Sequence, residues 1–381
     1  MKRILLLGGG SGGHVFPLIA VADSLKEQAI QNGIPLELMV IGEGDFLKNA
    51  CMERGLTFKP IMAAKVRRYF SLMNFLDIFK IPVGILQSFW HIFWFMPDIV
   101  FSKGGYASLP GAFVSWLYFI PIYAHESDSV PGLSNKIIGR IARAIFTSFK
   151  STEKYFKIGK SFQVGNPVRK DVVSADRAQS AQLLGLGQDK KIILVLGGSQ
   201  GAQKVNEIIL NSLVMLVSKF QIIHQCGQGQ YNVVKADSDR LIKEGEGHYS
   251  DNIKSNYKLF PFLDSKQYAA ALSVCDVVVS RAGAGSISEI ALAGKPAILI
   301  PLSTKASRGE QITNALEFAK YGAAYIEEEN LTPNILINQI ESLLEPVKYK
   351  EVSEKIKTFA SPDAADKIAA TLLNVQVSQQ Q

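Results

Sequence analysis

Short runs of apolar, β-branched residues alternate with stretches of helical periodicity along the whole chain. The apolar runs predict strands, in chain order, at Arg3–Leu7, Leu36–Ile41, Ile99–Ser102, Ile122–Ala124, Ala144–Thr147, Lys191–Leu196, Gln221–Gln225, Tyr257–Phe260, Asp276–Ser280, Ala297–Ile300 and Ala323–Ile326. Helical periodicity fills the gaps, as in Pro17–Gln31, Ala202–Ser218, Gln267–Val274, Gln311–Lys320 and Asp363–Leu373. Apolar strands alternating with helices are typical of a parallel sheet covered on both faces, so the sequence predicts an α/β protein.

Two of the predicted strands are each followed by a glycine-rich loop and then by a helix. The strand Arg3–Leu7 leads into GGGSGGH (8–14), and the strand Lys191–Leu196 leads into GGSQGA (197–202). Two such strand–loop–helix units in one chain predict two Rossmann-like domains. We place the boundary at the turn-rich GNPVR (165–169), which gives domains of residues 1–168 and 169–360 and a C-terminal segment of residues 361–381.

Charge is distributed unevenly over the two predicted domains. The 381 residues include 41 lysines and arginines and 34 aspartates and glutamates, a net charge of +7. Residues 1–168 hold 18 basic and 11 acidic residues, whereas the remainder holds 23 of each. An excess of positive charge confined to one domain favours an anionic membrane or a phosphate-bearing ligand as the partner. A nucleic acid is less favoured, because the sequence carries no nucleic-acid-binding motif.

Composition excludes several other classes of protein. Apolar residues make up 47% of the chain, and three well-separated cysteines fit neither a disulfide scaffold nor a zinc ribbon. The N-terminus lacks the features of a signal peptide, so we expect a cytosolic protein without a metal site. Two uncharged stretches, 81–96 and 104–124, contain prolines or glycines that favour buried α/β elements over a membrane span.

The first glycine loop satisfies G-x-G-x-x-G through Gly8, Gly10 and Gly13. Glycines let the backbone approach a phosphate, and the following helix N-terminus supplies N–H donors and a positive dipole. A tight turn without a ligand is the alternative, which a second such loop disfavours. Glu43, at the end of the next strand, is the acid that a dinucleotide site requires, but it comes late in the sequence.

Two polar residues stand beside glycine loops. His14 directly follows the first loop and is a candidate proton acceptor near neutral pH, with a capping or packing histidine as the alternative. Glu289 ends the third loop, SRAGAGSISE (280–289), which follows the strand Asp276–Ser280. We expect Glu289 in the first helical turn, where it either holds sugar hydroxyls or only caps the helix.

The segment KVRRYFSLMNFLDIF (65–79) mixes basic residues with aromatic and aliphatic ones, as interfacial membrane-binding segments do. The predicted membrane contacts are Lys65, Arg67, Arg68, Tyr69, Phe70, Met73 and Phe75. A core helix with a charged edge is the alternative, and it is the interpretation we prefer for the continuation through Ile85–Phe95.

Seven motifs occur in order over most of the chain: GGGSGGHVFP (8–17), SKGGYASLPG (102–111), PGLSNK (131–136), GNPVR (165–169), GGSQGA (197–202), SRAGAGSISE (280–289) and EQITNA (310–315). Through these motifs the chain resembles the MurG family, bacterial peptidoglycan glycosyltransferases within glycosyltransferase family 28. The resemblance implies a GT-B fold, with two Rossmann-like domains whose parallel sheets face each other across a cleft and a final helix that crosses back to the N-terminal domain.

The resemblance also implies a reaction. N-acetylglucosamine is transferred from UDP-GlcNAc to the C4 hydroxyl of MurNAc in undecaprenyl-pyrophosphoryl-MurNAc-pentapeptide (lipid I). The products are lipid II and UDP, with inversion at the anomeric carbon. The implied partners are UDP-GlcNAc, lipid I and the anionic cytoplasmic face of the inner membrane, with other cell-wall synthesis proteins left open. No cofactor and no catalytic metal is implied.

Residues of the matched motifs acquire implied roles. His14 corresponds to the proposed base, and Glu289 to the ribose clamp. The implied donor contacts are Ser11, Gly12, Gly13, Asn135, Arg169, Ser199, Leu263 (through its backbone), Ala284, Gly285, Ser286, Ile287, Ser288, Glu289 and Gln311. The implied acceptor side comprises Gly104, Gly105, Tyr106 and His125. The chain departs from the family pattern at Ser127-Asp128, where the family often has Gln-Asn, and at Glu310, where it often has histidine or glutamine.

Three alternatives to this reaction remain. A related GT-B enzyme can use another UDP-sugar or another lipid acceptor. A membrane-surface protein can bind a nucleotide without chemistry, but such a protein needs no base, and His14 with Glu289 and Gln311 disfavours it. A dehydrogenase leaves the second and third glycine loops unexplained.

Overall fold

The structure is a computed structural model, and it describes residues 1–9, 12–64, 72–172, 176–187, 189–198, 201–303 and 309–374. The chain divides into two compact units. The first unit comprises Met1–Arg169 with Ser361–Gln381, and the second comprises Lys170–Ala360. The first break therefore follows Arg169, one residue beyond the predicted boundary.

The first unit is built on a seven-stranded parallel sheet. Its elements are β1 (Lys2–Gly9), α1 (Gly12–Gln31), β2 (Leu36–Glu43), α2 (Asp45–Glu53), β3 (Thr57–Pro60), α3 (Leu72–Phe95), β4 (Ile99–Ser102), α4 (Leu109–Leu117), β5 (Ile122–Glu126), α5 (Leu133–Ile141), β6 (Ala144–Thr147) and β7 (Ser161–Gln163). The strand order is β3-β2-β1-β4-β5-β6-β7. The central strand β1 is buried on both faces from Ile4 to Leu7, because helices cover each side of the sheet.

The second unit repeats this design with six parallel strands. Its elements are α6 (Arg177–Leu183), β8 (Lys191–Leu196), α7 (Gln203–Asn211), α8 (Leu213–Lys219), β9 (Phe220–Gln225), α9 (Tyr231–Glu244), α10 (Ser250–Asn256), β10 (Tyr257–Phe260), α11 (Ser265–Val274), β11 (Val277–Ser280), α12 (Ala284–Ala293), β12 (Ala297–Leu299), α13 (Glu310–Ala319), β13 (Ala324–Tyr325), α14 (Pro333–Leu344) and α15 (Pro346–Phe359). The strand order is β10-β9-β8-β11-β12-β13.

The final helix α16 (Ala364–Leu373) belongs to the first unit. It packs on α1, and Gln28 of α1 donates a 2.9 Å hydrogen bond to the carbonyl of Asp366. The Lys2 ammonium donates to the carbonyl of Leu373, also at 2.9 Å. The last helix thus completes the first unit's core, together with α1 and β1.

Several element boundaries differ from the sequence prediction. The first helix begins at Gly12 rather than at Pro17, which places His14 in its first turn. The predicted helix 202–218 is two helices that meet at Ser212. Glu289 is the sixth residue of α12 and so lies in its second turn, and Gly283, not Glu289, caps the helix. Capping by Glu289 is therefore wrong.

The interpretation of 85–95 as a core helix is wrong for one face of α3. Ile92 and Phe95 are buried against the sheet, but Trp90 and Trp94 are 64% and 66% exposed. The stretch 104–124, also predicted as buried, exposes aromatic residues of α4 and the following turn. Apolar and aromatic residues occur on every side of this helix, and its Ser88 is buried, so periodicity could not reveal this exposure. No helix in the described part of the chain is long and apolar enough to cross a membrane.

Candidate active site

The strand order reverses once in each sheet, between β1 and β4 in the first unit and between β8 and β11 in the second. In parallel α/β sheets, ligands bind beyond the carboxyl ends of the strands at this reversal. Each glycine-rich motif singled out in the sequence follows one of these four strands. The topology therefore places a candidate binding region at the switch point of each unit.

In the first unit, two glycine loops pack against each other around His14. Gly105 has a φ of +82°, and a Cβ there would lie 3.0 Å from the carbonyl oxygen of Gly9 and 3.6 Å from Cδ2 of His14. Only glycine combines this backbone conformation with so close an approach. The loop after β4 is thereby held beside the first turn of α1, and the half-buried His14 imidazole lies between them.

The surroundings of His14 keep its imidazole neutral. Burial and the nearby Lys103 ammonium lower the pKa of His14 to about 4, and a hydrogen bond with the Lys103 backbone offsets only part of this effect. The imidazole is therefore uncharged at neutral pH and can accept a proton. The backbone N–H groups of Gly12, Gly13 and His14, in the first turn of α1, have no intrahelical acceptor.

Beside His14 lies a buried polar cluster that the sequence analysis missed. Lys103 is 0% exposed, and its Nζ donates to Ser127 Oγ at 2.6 Å. Ser127 Oγ donates in turn to Asn166 Oδ1 at 2.6 Å. Burial lowers the pKa of Lys103 to about 8, against the opposing effect of the Glu126 and Asp128 carboxylates. A lysine normally indicates a solvated position, and only tertiary packing reveals that this one is enclosed.

Two predicted ligand residues support this cluster from inside the domain. His125 is fully buried, and its Nε2 is 2.9 Å from the carbonyl oxygen of Gly165. Asn135, at the start of α5, donates from Nδ2 to the carbonyl oxygen of His125 and to Glu126 Oε2, both at 3.0 Å. The side chain of His125 is therefore enclosed within the domain, and Asn135 retains only its Oδ1 for other partners.

Other predicted residues of the first unit have varied positions. Tyr106 is half-buried in a 3₁₀ turn directly after Gly105. Arg169 is buried, with its guanidinium carbon 4.4 Å from the ring centroid of Phe16. Several predicted residues lie outside the described part of the chain: Ser11, Lys65, Arg67, Arg68, Tyr69 and Phe70. Met73 and Phe75 belong to α3, but the description does not extend to their side chains.

In the second unit, the loop after β11 presents a helix N-terminus. Ile287 N–H is the first in α12 to reach back, to the carbonyl of Gly283, so Ala284, Gly285 and Ser286 keep free backbone donors within the helix. Arg281 anchors the loop through a 2.6 Å ion pair with Glu328. Backbone donors and the positive end of the helix dipole together are suited to a phosphate.

The remaining predicted donor contacts on α12 differ in their surroundings. Glu289 is half-buried and accepts a 2.7 Å hydrogen bond at Oε2 from the hydroxyl of Tyr268. Ser288 donates back to the carbonyl of Ala284 at 2.9 Å, and Ile287 is fully buried in the core. The side chain of Ile287 packs inward and its N–H is already used, and its contact with the donor as part of this loop stays a prediction.

Two further predicted donor contacts flank this helix. Gln311, in the first turn of α13, accepts a 3.0 Å hydrogen bond from Leu302 N–H, which leaves its amide group for other partners. The N–H of Leu263 points to Gln225 Oε1 at 3.3 Å. The second glycine loop is described only at 197–198 and 201–202, so Ser199 lies outside the described residues. Across the described chain, no group of three His, Cys, Asp or Glu side chains is placed to hold a metal ion.

Comparison with known proteins assigns the family. The glycosyltransferase family 28 N-terminal domain matches residues 4–147, and the family 28 C-terminal domain matches residues 192–368. The chain belongs to glycosyltransferase family 28. The MurG-type resemblance is confirmed by family 28 relatives named UDP-N-acetylglucosamine–N-acetylmuramyl-(pentapeptide) pyrophosphoryl-undecaprenol N-acetylglucosamine transferase.

Two of these relatives illustrate the extent of the match. The one from Bacillus cereus, strain ATCC 10987, is 36% identical over 345 residues, which cover 90% of this chain and 92% of the relative. The one from Legionella pneumophila, strain Paris, is 36% identical over 372 residues, covering 97% and 96%. The family 28 assignment therefore rests on both units together.

Solved structures confirm the predicted GT-B-type fold. MurG of Acinetobacter baumannii superposes with a TM-score of 0.71 at 24% identity, covering 98% of this chain and all of that one. A UDP-GlcNAc 2-epimerase from Neisseria meningitidis, solved with UDP-GlcNAc bound, gives 0.69 at 15% identity, with the same coverage. At these identities, the structural similarity establishes only that the family 28 chain shares the fold of both proteins.

Proposed function

We propose that the protein transfers N-acetylglucosamine from UDP-GlcNAc to the C4 hydroxyl of MurNAc in lipid I, yielding lipid II and UDP with inversion. The observation that carries this proposal is the 36% identity, over 90% to 97% of the chain, to relatives named for this reaction. The histidine and the helix N-terminus at the two switch points supply the chemistry that such a transfer requires.

In this proposal His14 is the base of the reaction. The C4 oxygen of MurNAc attacks the anomeric carbon of GlcNAc, its proton passes to the imidazole, and the bond to the UDP oxygen breaks. A pKa of about 4 leaves His14 uncharged at neutral pH, as a base must be. The loop at Gly104–Tyr106 would line the acceptor, because it borders His14, and Gly12 and Gly13 would face the sugar that is transferred.

The second unit would hold the nucleotide sugar. The free N–H groups at the start of α12 would receive the diphosphate and stabilise the charge that develops on UDP as it leaves. Glu289 would accept hydrogen bonds from the ribose hydroxyls, and the amide of Gln311 would contact GlcNAc. Leu263 would meet the uracil through its backbone, and Ser199 and Arg169 would complete the donor contacts. No catalytic metal or cofactor is proposed.

We place the protein on the cytoplasmic face of the inner membrane, held peripherally by the first unit. The support is an aromatic face of exposed side chains on α3, α4 and the turns that follow them: Phe79, Leu86, Trp90, Phe93, Trp94, Met96, Phe113, Trp116, Leu117 and Phe119. The ring of Phe89 meets that of Tyr118 at 5.5 Å and joins the two helices. Exposed aromatic rings beside basic residues suit the lipid headgroup region.

A transfer assay with several UDP-sugars tests the proposal. Purified protein should transfer GlcNAc from UDP-GlcNAc to a lipid I analogue in the presence of a chelator. UDP-GalNAc and UDP-glucose should give far less product. Absence of turnover by folded protein with a competent acceptor would contradict the proposal, and preference for another UDP-sugar would establish the related GT-B activity instead.

Substituting Glu289 tests the donor site. Glu289→Ala should weaken binding of UDP by about 10- to 100-fold, because hydrogen bonds to a charged group contribute about 1.5–3 kcal/mol. Isothermal titration with UDP measures the change, and Tyr268→Phe should have a smaller effect because the carboxylate remains. Glu246→Ala, at an exposed position of the same unit, is the control. Unchanged UDP affinity in Glu289→Ala would exclude the ribose clamp.

A further inference from the structure

The enclosed Lys103 has no part in the proposed chemistry, although it lies immediately beside the proposed base. Its backbone N–H continues the β1–β4 ladder by donating to the carbonyl of Leu7 at 2.9 Å, so it stands at the switch point itself. Its side chain is among the largest that the domain buries completely, and Nζ is occupied by Ser127. In this position the ammonium cannot reach a substrate, and any effect on the reaction must pass through a neighbour.

A buried ammonium is costly unless other groups compensate for its charge. Here the compensation comes from the end of β5, where the Glu126 and Asp128 carboxylates act on Lys103. Glu126 is itself fixed by the N–H groups of Asp128 and Gly132, both 3.0 Å from its carboxylate oxygens, and by Asn135. The cluster is thus held by hydrogen bonds among residues that follow β4, that end or follow β5, and that begin α5.

The ionisable groups around the His14 imidazole are Lys103, at the end of β4, and His125, in β5, with Glu126 and Asp128 acting on Lys103. His125 is neutral, because burial and the Lys103 charge hold its pKa well below the usual range. Lys103 is therefore the charge that acts most directly on His14. Ser127 and Asp128, the two residues directly after β5 at which the chain departs from the family pattern, both belong to the group that holds this lysine.

We propose that Lys103 is a positioning residue for His14: its buried ammonium, fixed by Ser127 and compensated by Glu126 and Asp128, keeps the imidazole uncharged and available as a proton acceptor. The inference rests on the proposed function for its consequence in catalysis. The electrostatic effect on His14 itself is independent of any reaction.

The imidazole of His14 can be observed directly by nitrogen NMR on histidine-labelled protein at pH 5.5, with the His14 signal assigned by its loss in His14→Gln. In the wild type the imidazole should be neutral at this pH. In Lys103→Met, a neutral side chain of similar length, the pKa of His14 should rise from about 4 but stay below 6.5, because burial, the larger cause of the depression, is retained. The protonated fraction of the imidazole at pH 5.5 should therefore be measurably higher than in the wild type. Ser127→Ala, which keeps the lysine charge, should leave the imidazole neutral.

Lys48→Met, at an exposed position of α2, is the matched control and should leave His14 neutral. If Lys103→Met does not fold, Lys103→Met with Asp128→Asn removes one charge of each sign and should give the same protonation. A protonated His14 in the wild type, or an imidazole that stays neutral in a folded Lys103 variant, would overturn the inference.

Transfer rates separate this inference from the proposed function. With His14 as base, Lys103→Met should lose a larger share of its transfer activity between pH 7 and pH 5.5 than the wild type does. If the NMR change occurs and the pH–rate profile does not follow, the lysine still sets the charge of His14, and the assignment of His14 as base is what fails.

Discussion

Replacing His14 with alanine is expected to lower kcat for GlcNAc transfer by about 10²–10⁴-fold, the usual contribution of a general base. The imidazole lies at the N-terminus of α1, between two glycine loops, and is uncharged at neutral pH. The affinity for UDP should change little, because the proposed contacts to its uracil, ribose and diphosphate at Leu263, Glu289 and the start of α12 lie in the second unit. The measurement is a pair of experiments on the same protein: transfer kinetics with a soluble lipid I analogue, and titration with UDP.

The controls for this prediction separate basicity from shape. His14→Gln keeps a hydrogen-bonding side chain of similar length without a titratable nitrogen, and it should be as inactive as His14→Ala. His248→Ala, at an exposed position of the second unit, should be fully active. Equal losses of turnover and UDP affinity in His14→Ala would make His14 a binding residue. In the wild type, a pKa of about 4 predicts that kcat stays constant as pH falls from 7 to about 5.5.

The fold could be predicted where the local pattern and the tertiary structure agree. The buried strands β1, β4, β8 and β11 are short apolar runs, and each glycine-rich motif follows one of them, so the switch points could be located from sequence. The edge strands β3 and β7 were missed because their residues are mostly exposed and carry no apolar run. Edge strands need less apolar surface than central ones, and hydrophobic periodicity detects them poorly.

Only the backbone features of the candidate site could be predicted from the sequence. Glycine loops and helix starts are local features, and the sequence placed them at strand ends. Side-chain environments depend on residues distant in the chain: Lys103 contacts Ser127, and His125 contacts Gly165. For this reason the buried cation Lys103 was overlooked, and the full burial of the His125 and Ile287 side chains could not be foreseen.

The aromatic face bears on how a protein without a described membrane-spanning helix would reach a lipid-linked substrate. The net charge of +7 resides in residues 1–168, and Lys59, which acts on His91 of α3, is one of the exposed basic residues near this face. Apolar rings supply insertion energy and basic residues supply attraction to anionic lipid, and stable docking of a peripheral protein usually needs both. The two contributions can be removed separately.

Replacing Trp90, Trp94 and Trp116 together with glutamine should abolish most binding to phosphatidylglycerol vesicles in a sedimentation assay. The three side chains are 64%, 66% and 47% exposed, and withdrawing one indole from lipid costs about 1–2 kcal/mol, roughly tenfold in partitioning per tryptophan. Turnover with a soluble acceptor should be unchanged, because the three side chains are exposed on α3 and α4 and none belongs to the proposed site. Ile30→Gln, which removes a side chain 81% exposed at the end of α1, should bind vesicles normally.

Salt dependence then separates the aromatic face from the basic segment at 65–68. The tryptophan variant should keep weak, salt-sensitive attraction to anionic vesicles. Replacing Arg67 and Arg68, which lie outside the described residues, should leave weak, salt-insensitive binding, since screening acts on charges and not on buried rings. Undiminished vesicle binding by the triple tryptophan variant would exclude the aromatic face as the docking surface, and the exposed rings of α3 and α4 would then need a protein partner to cover them.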